Sequence, residues 1–114
     1  MKIFNKSKGT LIAEKVEIAD TIISRLIGLL NRTSLPATEA LIITQCRSIH
    51  MFFMKFPIDV LFVDKRNVVI GVVQDIQPFR LSPYFFKSCS AIELSSGTAA
   101  KTKTGVGDFL EIQE

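Results

Sequence analysis

Phe56-Pro57-Ile58-Asp59-Val60-Leu61-Phe62-Val63-Asp64-Lys65-Arg66-Asn67-Val68-Val69-Ile70-Gly71-Val72-Val73 decides the kind of fold. Two apolar runs, Ile58–Val63 and Val68–Val73, flank Asp64-Lys65-Arg66-Asn67, four residues suited to a hairpin turn. Branched side chains at nearly every position predict strands covered on both faces. Alternation puts Ile58, Val60 and Phe62 on one face and Asp59, Leu61 and Val63 on the other. Asp59 therefore shares an apolar face, where an ionised carboxylate is costly unless it is paired or hydrogen-bonded. Either it ties the preceding loop to the sheet through loop N–H groups or Lys55, or it is a perturbed acid at a pocket mouth.

Upstream, Lys2–Asn5 and Thr10–Glu17 read as strands joined at Ser7-Lys8-Gly9. Asp20 is the expected N-cap of a helix over Thr21–Leu30. Ile22, Ile23, Leu26, Ile27, Leu29 and Leu30 form its buried face, with Ser24 and Arg25 on the wet side. Gly28, unfavourable in a helix by about 1 kcal/mol, is explained by close approach of a neighbouring element. Leu41–Gln45, Cys89–Leu94 and Phe109–Ile112 read as further strands, and Gly97–Lys101 as a short helical turn. Gln77–Ser88, with two prolines and Tyr84-Phe85-Phe86, reads as a long irregular excursion. The fold expected is a single α+β domain over residues 1–114. It would be strand-rich, with a strongly curved or barrel-like mixed sheet and one principal N-terminal helix.

The chain has 114 residues, 47% hydrophobic and 22% charged, an ordinary globular composition. Its apolar segments are interrupted by Arg25 or by Asp59, Asp64, Lys65 and Arg66, so none supplies the ~20 residues a membrane span needs. Fourteen bases against eleven acids give a net charge of +3. The bases are scattered rather than striped, so no nucleic-acid partner is expected. The N-terminal residues lack the apolar core of a signal peptide, and Cys46 and Cys89 are expected to be reduced, which together predict a cytoplasmic protein.

The chemistry gathers in Cys46-Arg47-Ser48-Ile49-His50-Met51-Phe52-Phe53-Met54-Lys55-Phe56-Pro57, which holds the only histidine. His50 and Lys55 flank an apolar centre, but no triad or exposed serine elbow accompanies the histidine. Cys46 and His50, four residues apart, together with Cys89 are weak candidate metal ligands without a paired signature. No cofactor motif is found. Glu93 is either a solvated strand carboxylate or, if the sheet closes, a second acid in the interior with Asp59. Gly105-Val106-Gly107-Asp108 has the amides to cradle an anion but not the order of a phosphate loop, so it reads as a turn.

Ser48-Ile49-His50-Met51-Phe52-Phe53-Met54-Lys55-Phe56-Pro57-Ile58-Asp59-Val60 resembles the signature of the prokaryotic family called domain of unknown function 192. Arg25-Leu26-Ile27-Gly28-Leu29-Leu30, Glu93-Leu94-Ser95-Ser96-Gly97 and Gly105-Val106-Gly107-Asp108 are similar to its other motifs, in the same order. The resemblance implies a small strand-rich α+β domain without an assigned activity. It marks Arg25, Gly28, Met54, Asp59, Glu93, Gly97, Gly107 and Asp108 as candidate positions. Met51 and Leu30 depart from the pattern, which has threonine and methionine there.

The function expected from the residues is a binding module. Its loops His50–Pro57 and Gln77–Ser88 would frame an aromatic pocket for a small metabolite or short peptide. His50, Met54, Lys55, Asp59, Arg80 and Glu93 are the expected ligand-binding residues. A hydrolase or proton-transfer enzyme using Asp59 and His50, or a structural or regulatory partner protein, are the alternatives. The oligomeric state is left open.

Overall fold

The computed structural model describes residues Met1–Glu114. In chain order the elements are β1 (Lys2–Asn5), β2 (Thr10–Ala13), β3 (Lys15–Ala19), α1 (Ile22–Ile27), β4 (Glu39–Thr44), β5 (Ile58–Val63) and β6 (Val69–Ile76). They close with β7 (Ser90–Ser95), α2 (Thr98–Lys101) and β8 (Leu110–Gln113). The fold is α+β and strand-rich, as the sequence implied. The strands form two sheets, however, and neither closes into a barrel: a mixed five-stranded sheet β3-β4-β7-β5-β6, and a three-stranded antiparallel sheet β2-β1-β8. Only β3 and β4 run parallel.

The expected strand Thr10–Glu17 divides at Glu14, and this division creates the two sheets. The amides of Glu14 and Lys15 both donate to the Thr38 carbonyl, at 2.8 and 3.1 Å, which draws the chain off β1 and onto β4. At the other end a single bridge, Val68 to Phe109, connects them.

β5 is buried along its whole length, because each face of its sheet meets a separate apolar layer. Val60 and Phe62 pack with Leu29, Ile49, Met51 and Met54 from the loops. Leu61 and Val63 pack with Ile3, Ile12 and Leu110 of the small sheet and with Ala99 of α2. Full burial of Leu61 or Phe62 stabilises by about 1.5–3 kcal/mol each.

On β6 the aromatic excursion folds back over a glycine. Phe85 lies 4.5 Å, ring centroid to centroid, from Phe62. A Cβ on Gly71 would stand 2.3 Å from the Phe85 ring. Gly71→Ala is therefore expected to destabilise by about 1–3 kcal/mol through overpacking. Urea denaturation of Gly71→Ala alone and combined with Phe85→Leu checks this: the ring's removal should relieve much of the penalty. Equal penalties in both backgrounds would rule out the ring as its cause.

Helix α1 corrects the expected one in three respects. Thr21, not Asp20, is the N-cap: its hydroxyl accepts from the Ser24 amide, while the Ser24 hydroxyl accepts from the Thr21 amide, both at 3.0 Å. The helix ends after six residues at Gly28, whose φ of +49° requires glycine. Its apolar face is turned outward: Ile22, Ile23 and Leu26 are about 70% exposed, whereas Ser24 and Arg25 are half-buried. The core contact expected of them is made instead by Leu29, just beyond the helix.

The candidate acidic cleft

Asp59 is completely buried and fully engaged. Its Oδ1 accepts from the Asp75 amide at 2.8 Å, and its Oδ2 from the Gly97 and Ala99 amides at 3.0 and 2.9 Å. Gly97 is the N-cap of α2 and has no capping side chain of its own, so Asp59 supplies the missing acceptor. The carboxylate thus ties β5 to β6 and α2, rather than to the preceding loop. Lys55 is exposed and takes no part.

Register separates the two acids that the sequence left open to share an interior. Asp59 stands opposite Leu94, and Val60 opposite Glu93, so Asp59 and Glu93 project from opposite faces of the sheet. Glu93 lies between Leu41 and Val60 on the loop-covered face, only 6% exposed, and its Oε1 has no hydrogen-bond partner. Burial pushes its carboxyl up from 4.5 to about 7. It is buried and makes no salt bridge.

Glu93 floors a cleft of about 90 Å³. One wall is the end of α1, with Arg25, Leu26 and Gly28; the other is the loop after β4, with Cys46, Ser48, His50 and Met54. A Cβ on Gly28 would lie 3.9 Å from Glu93 Oε1 and 3.8 Å from Ile43 Cδ1. Those are ordinary contacts, so the positive φ and not crowding demands this glycine. The Cys46 thiol donates to the Ser48 carbonyl at 3.1 Å, and burial, with Glu93 adding to it, pushes its pKa up. A thiol kept protonated is not an activated nucleophile.

His50 is exposed at the cleft, its ring stacked on Phe52 at 5.4 Å. Cys46 and Cys89 are free, and no group of three or more His, Cys, Asp or Glu side chains is arranged to hold a metal ion. Cys46, His50 and Cys89 therefore do not form the metal set the spacing allowed. Met54 is buried at the cleft, whereas Lys55 and Arg80 are exposed outside its lining. The two irregular segments do lie side by side: the Met51 amide donates to the Arg80 carbonyl at 2.8 Å, and the Phe79 amide to the Met51 carbonyl at 2.7 Å.

The glycine-rich turn satisfies itself. Asp108 accepts from the Gly105 amide, Asn5 Nδ2 and Lys8 Nζ within 2.9 Å, which leaves no anion cradle. Burial raises the Asp108 pKa, but these hydrogen bonds outweigh it and hold the group below its ordinary value.

The positions marked by the family resemblance thus fall into three places. Arg25, Gly28, Met54 and Glu93 line one cleft; Asp59 and Gly97 meet each other on the opposite side of the sheet; Gly107 and Asp108 belong to the closing turn. His50, Met54 and Glu93, expected from the sequence as ligand-binding residues, line the cleft; Cys46, expected only as a weak metal ligand like His50, and Arg25, expected on the wet side of its helix, join them there.

Two sheets, with one buried, unpartnered acid on the loop-covered face of the larger, define a small α+β domain with an acidic cleft. The chain belongs to the domain of unknown function 192 family, described as "Uncharacterized ACR", whose profile matches residues 3–112. It is 35% identical over 114 residues to the UPF0127 protein of Pyrococcus abyssi, covering 96% of this chain and 95% of that protein. The UPF0127 protein of Pyrococcus horikoshii is 32% identical over 112 residues, covering 96% of each. A protein of unknown function from Novosphingobium aromaticivorans has the same fold, with a TM-score of 0.83 at 22% identity, over 97% of this chain and 82% of that one. No specific function is established among them. No helix is long and apolar enough to cross a membrane.

Proposed function

We propose that the domain is a binding module whose ligand inserts a small polar group into the Glu93 cleft while apolar contacts form at its rim. The observation that carries this is the unpartnered Oε1 of a carboxyl only 6% exposed. A buried polar atom without a partner is rare in folded proteins, and a ligand supplying one recovers the hydrogen bond. The cleft's roughly 90 Å³ is far below the ~300 Å³ at which small-molecule pockets begin. That favours a peptide anchored by one side chain over a whole metabolite. The rim fits, since Leu26 lines it and Phe52, stacked on His50, is exposed beside it. In the same proposal, the small sheet bridged to β6 through Val68 and Phe109 makes a barrel-like, curled wall around the core. Two free thiols support the cytoplasm as its compartment.

A larger groove of about 290 Å³ runs along β2, the 37–38 loop and α2. It has no orphaned polar atom; Thr10 Oγ1, for example, donates to the Thr102 carbonyl at 2.8 Å. Proton transfer by Asp59 and His50 has less support, because both Asp59 oxygens already accept amide hydrogens on the opposite face.

A fragment screen read by amide chemical shifts tests the site. Hits should perturb Gly28, Cys46 and Glu93 and vanish in Glu93→Leu; hits confined to the β2 groove would discard the proposal. Ile22→Ser and Leu26→Ser, at positions that lose little contact, should change stability by less than about 0.5 kcal/mol. A loss above about 2 kcal/mol in urea denaturation would mean that α1 is held as a core element instead.

A further inference from the structure

Bases predominate in the segments that frame the Glu93 cleft; the nearest acid along the chain is Asp20, whose carbonyl accepts from Arg25. Over Thr21–Leu30, Gln45–Pro57 and Gln77–Cys89 the chain carries Arg25, Arg47, His50, Lys55, Arg80 and Lys87, and no Asp or Glu at all. The whole chain has eleven acids against fourteen bases, so this face is far more basic than the average. Arg47, Lys55, Arg80 and Lys87 are exposed and mixed with exposed apolar groups. The Arg47 guanidinium lies 5.8 Å from the Phe86 ring centroid, and the Phe53 and Phe79 rings meet edge-on at 6.3 Å. The complement of such a face is acidic and apolar together.

Inside the cleft, Glu93 on the floor and Arg25 on the α1 wall form no salt bridge. Arg25 Nη1 makes only a 3.3 Å bond to the Asp20 carbonyl, so most of its donors have no protein acceptor. A group that fits between them must accept from a guanidinium and meet a buried carboxyl. The cleft's roughly 90 Å³ matches about three water molecules, the size of a carboxyl with its adjoining methylene. A bilayer surface is too flat to deliver such a group to the floor.

Resting on the binding proposal above, we propose that the ligand is an acidic, apolar peptide segment whose side-chain carboxylate enters the cleft between Arg25 and Glu93. Arg25 donates N–H to the incoming carboxylate, and Glu93, in its protonated form, donates its O–H to the other oxygen. The two carboxyl groups share one proton, so a chain whose Glu93 was ionised takes up a proton from solvent as it binds. The groups facing Glu93 are Arg25 from α1 and Cys46 and His50 from the loop after β4. From β4 and β5 the cross-strand neighbours are the uncharged Leu41 and Val60.

The test is selection from a random peptide display library on the wild-type protein at about pH 6, followed by titration of a selected peptide. Enrichment of Asp or Glu beside apolar residues is expected, with binding about tenfold weaker at about pH 8 than at about pH 6. Glu93→Gln, neutral and still a donor, should bind with that pH dependence removed. Arg25→Gln should weaken binding at least ~10-fold. Circular dichroism melts establish that both variants are folded. Peptides that shift the cleft amides but are neutral or basic overturn the acidic assignment and leave the binding module standing. If no peptide is enriched and no fragment reaches the cleft, both fail together. Binding only to phosphatidylglycerol vesicles, unchanged by Arg25→Gln, assigns the face to a lipid surface and overturns the peptide.

Discussion

Asp59→Ala should lower the unfolding free energy by about 4 kcal/mol or more, because three backbone donors lose their acceptor and each such loss costs roughly 1–3 kcal/mol. The donors belong to Asp75, Gly97 and Ala99, so the damage falls on the β5–β6 pairing and the start of α2 together. Against a typical total of 5–15 kcal/mol, the variant would be barely stable. Asp59→Asn should fall between: its oxygen can serve Gly97 and Ala99, but its NH₂ then faces the Asp75 amide, donor against donor. Equilibrium urea denaturation decides this. A loss below about 1 kcal/mol for Asp59→Ala would show that the carboxylate is not a structural acceptor, and Asp59 would return as a site residue.

Glu93→Gln should act in the opposite direction and only above acid pH. A carboxyl held at about 7 in the folded chain and near 4.5 in the unfolded one binds its proton more tightly when folded. Its contribution is complete below pH 4.5 and is lost as the pH rises through about 7, by roughly 3 kcal/mol in all. The glutamine variant escapes that loss. It should match the wild type near pH 4 and exceed it by up to roughly 3 kcal/mol above pH 8, with a flatter profile between. Asp108 works at lower pH with the opposite sign: its folded pKa is depressed, so its stabilisation is lost as pH falls through that value. Parallel profiles for wild type and Glu93→Gln between about pH 5 and pH 8 would sink the assignment of an ionisable, unpaired Glu93.

The strands were legible because their signals are local. Ile58–Val63 is apolar at every position but one, and it is buried on both faces as that pattern requires. The turn at Asp64–Asn67 was readable for the same reason: the Asp64 carboxylate accepts the Arg66 and Val68 amides. The break at Glu14 was not readable, because it depends on Thr38, distant in sequence. Nor was the facing of α1, since an apolar stripe reports amphipathicity but not which side meets the body. The apolar run around Asp59 implies that its carboxylate needs hydrogen bonds, yet its partners come from residues 75, 97 and 99, which only strand order brings near. The cleft escaped for the same reason. Its four family-marked residues span Arg25 to Glu93, and nothing in the linear pattern says that Arg25 leans inward or that Glu93 faces away from Asp59.

Pairing β1 between β2 and β8 has a consequence for how the chain matures on the ribosome. Its first strand can pair with β2 early but waits for its second partner until residues 110–113 have been made. Meanwhile Leu61 and Val63, about 50 residues upstream, are made without Leu110 to cover them. Growing chains should therefore be open to proteases and chaperones until β8 emerges, then become resistant in a single late step.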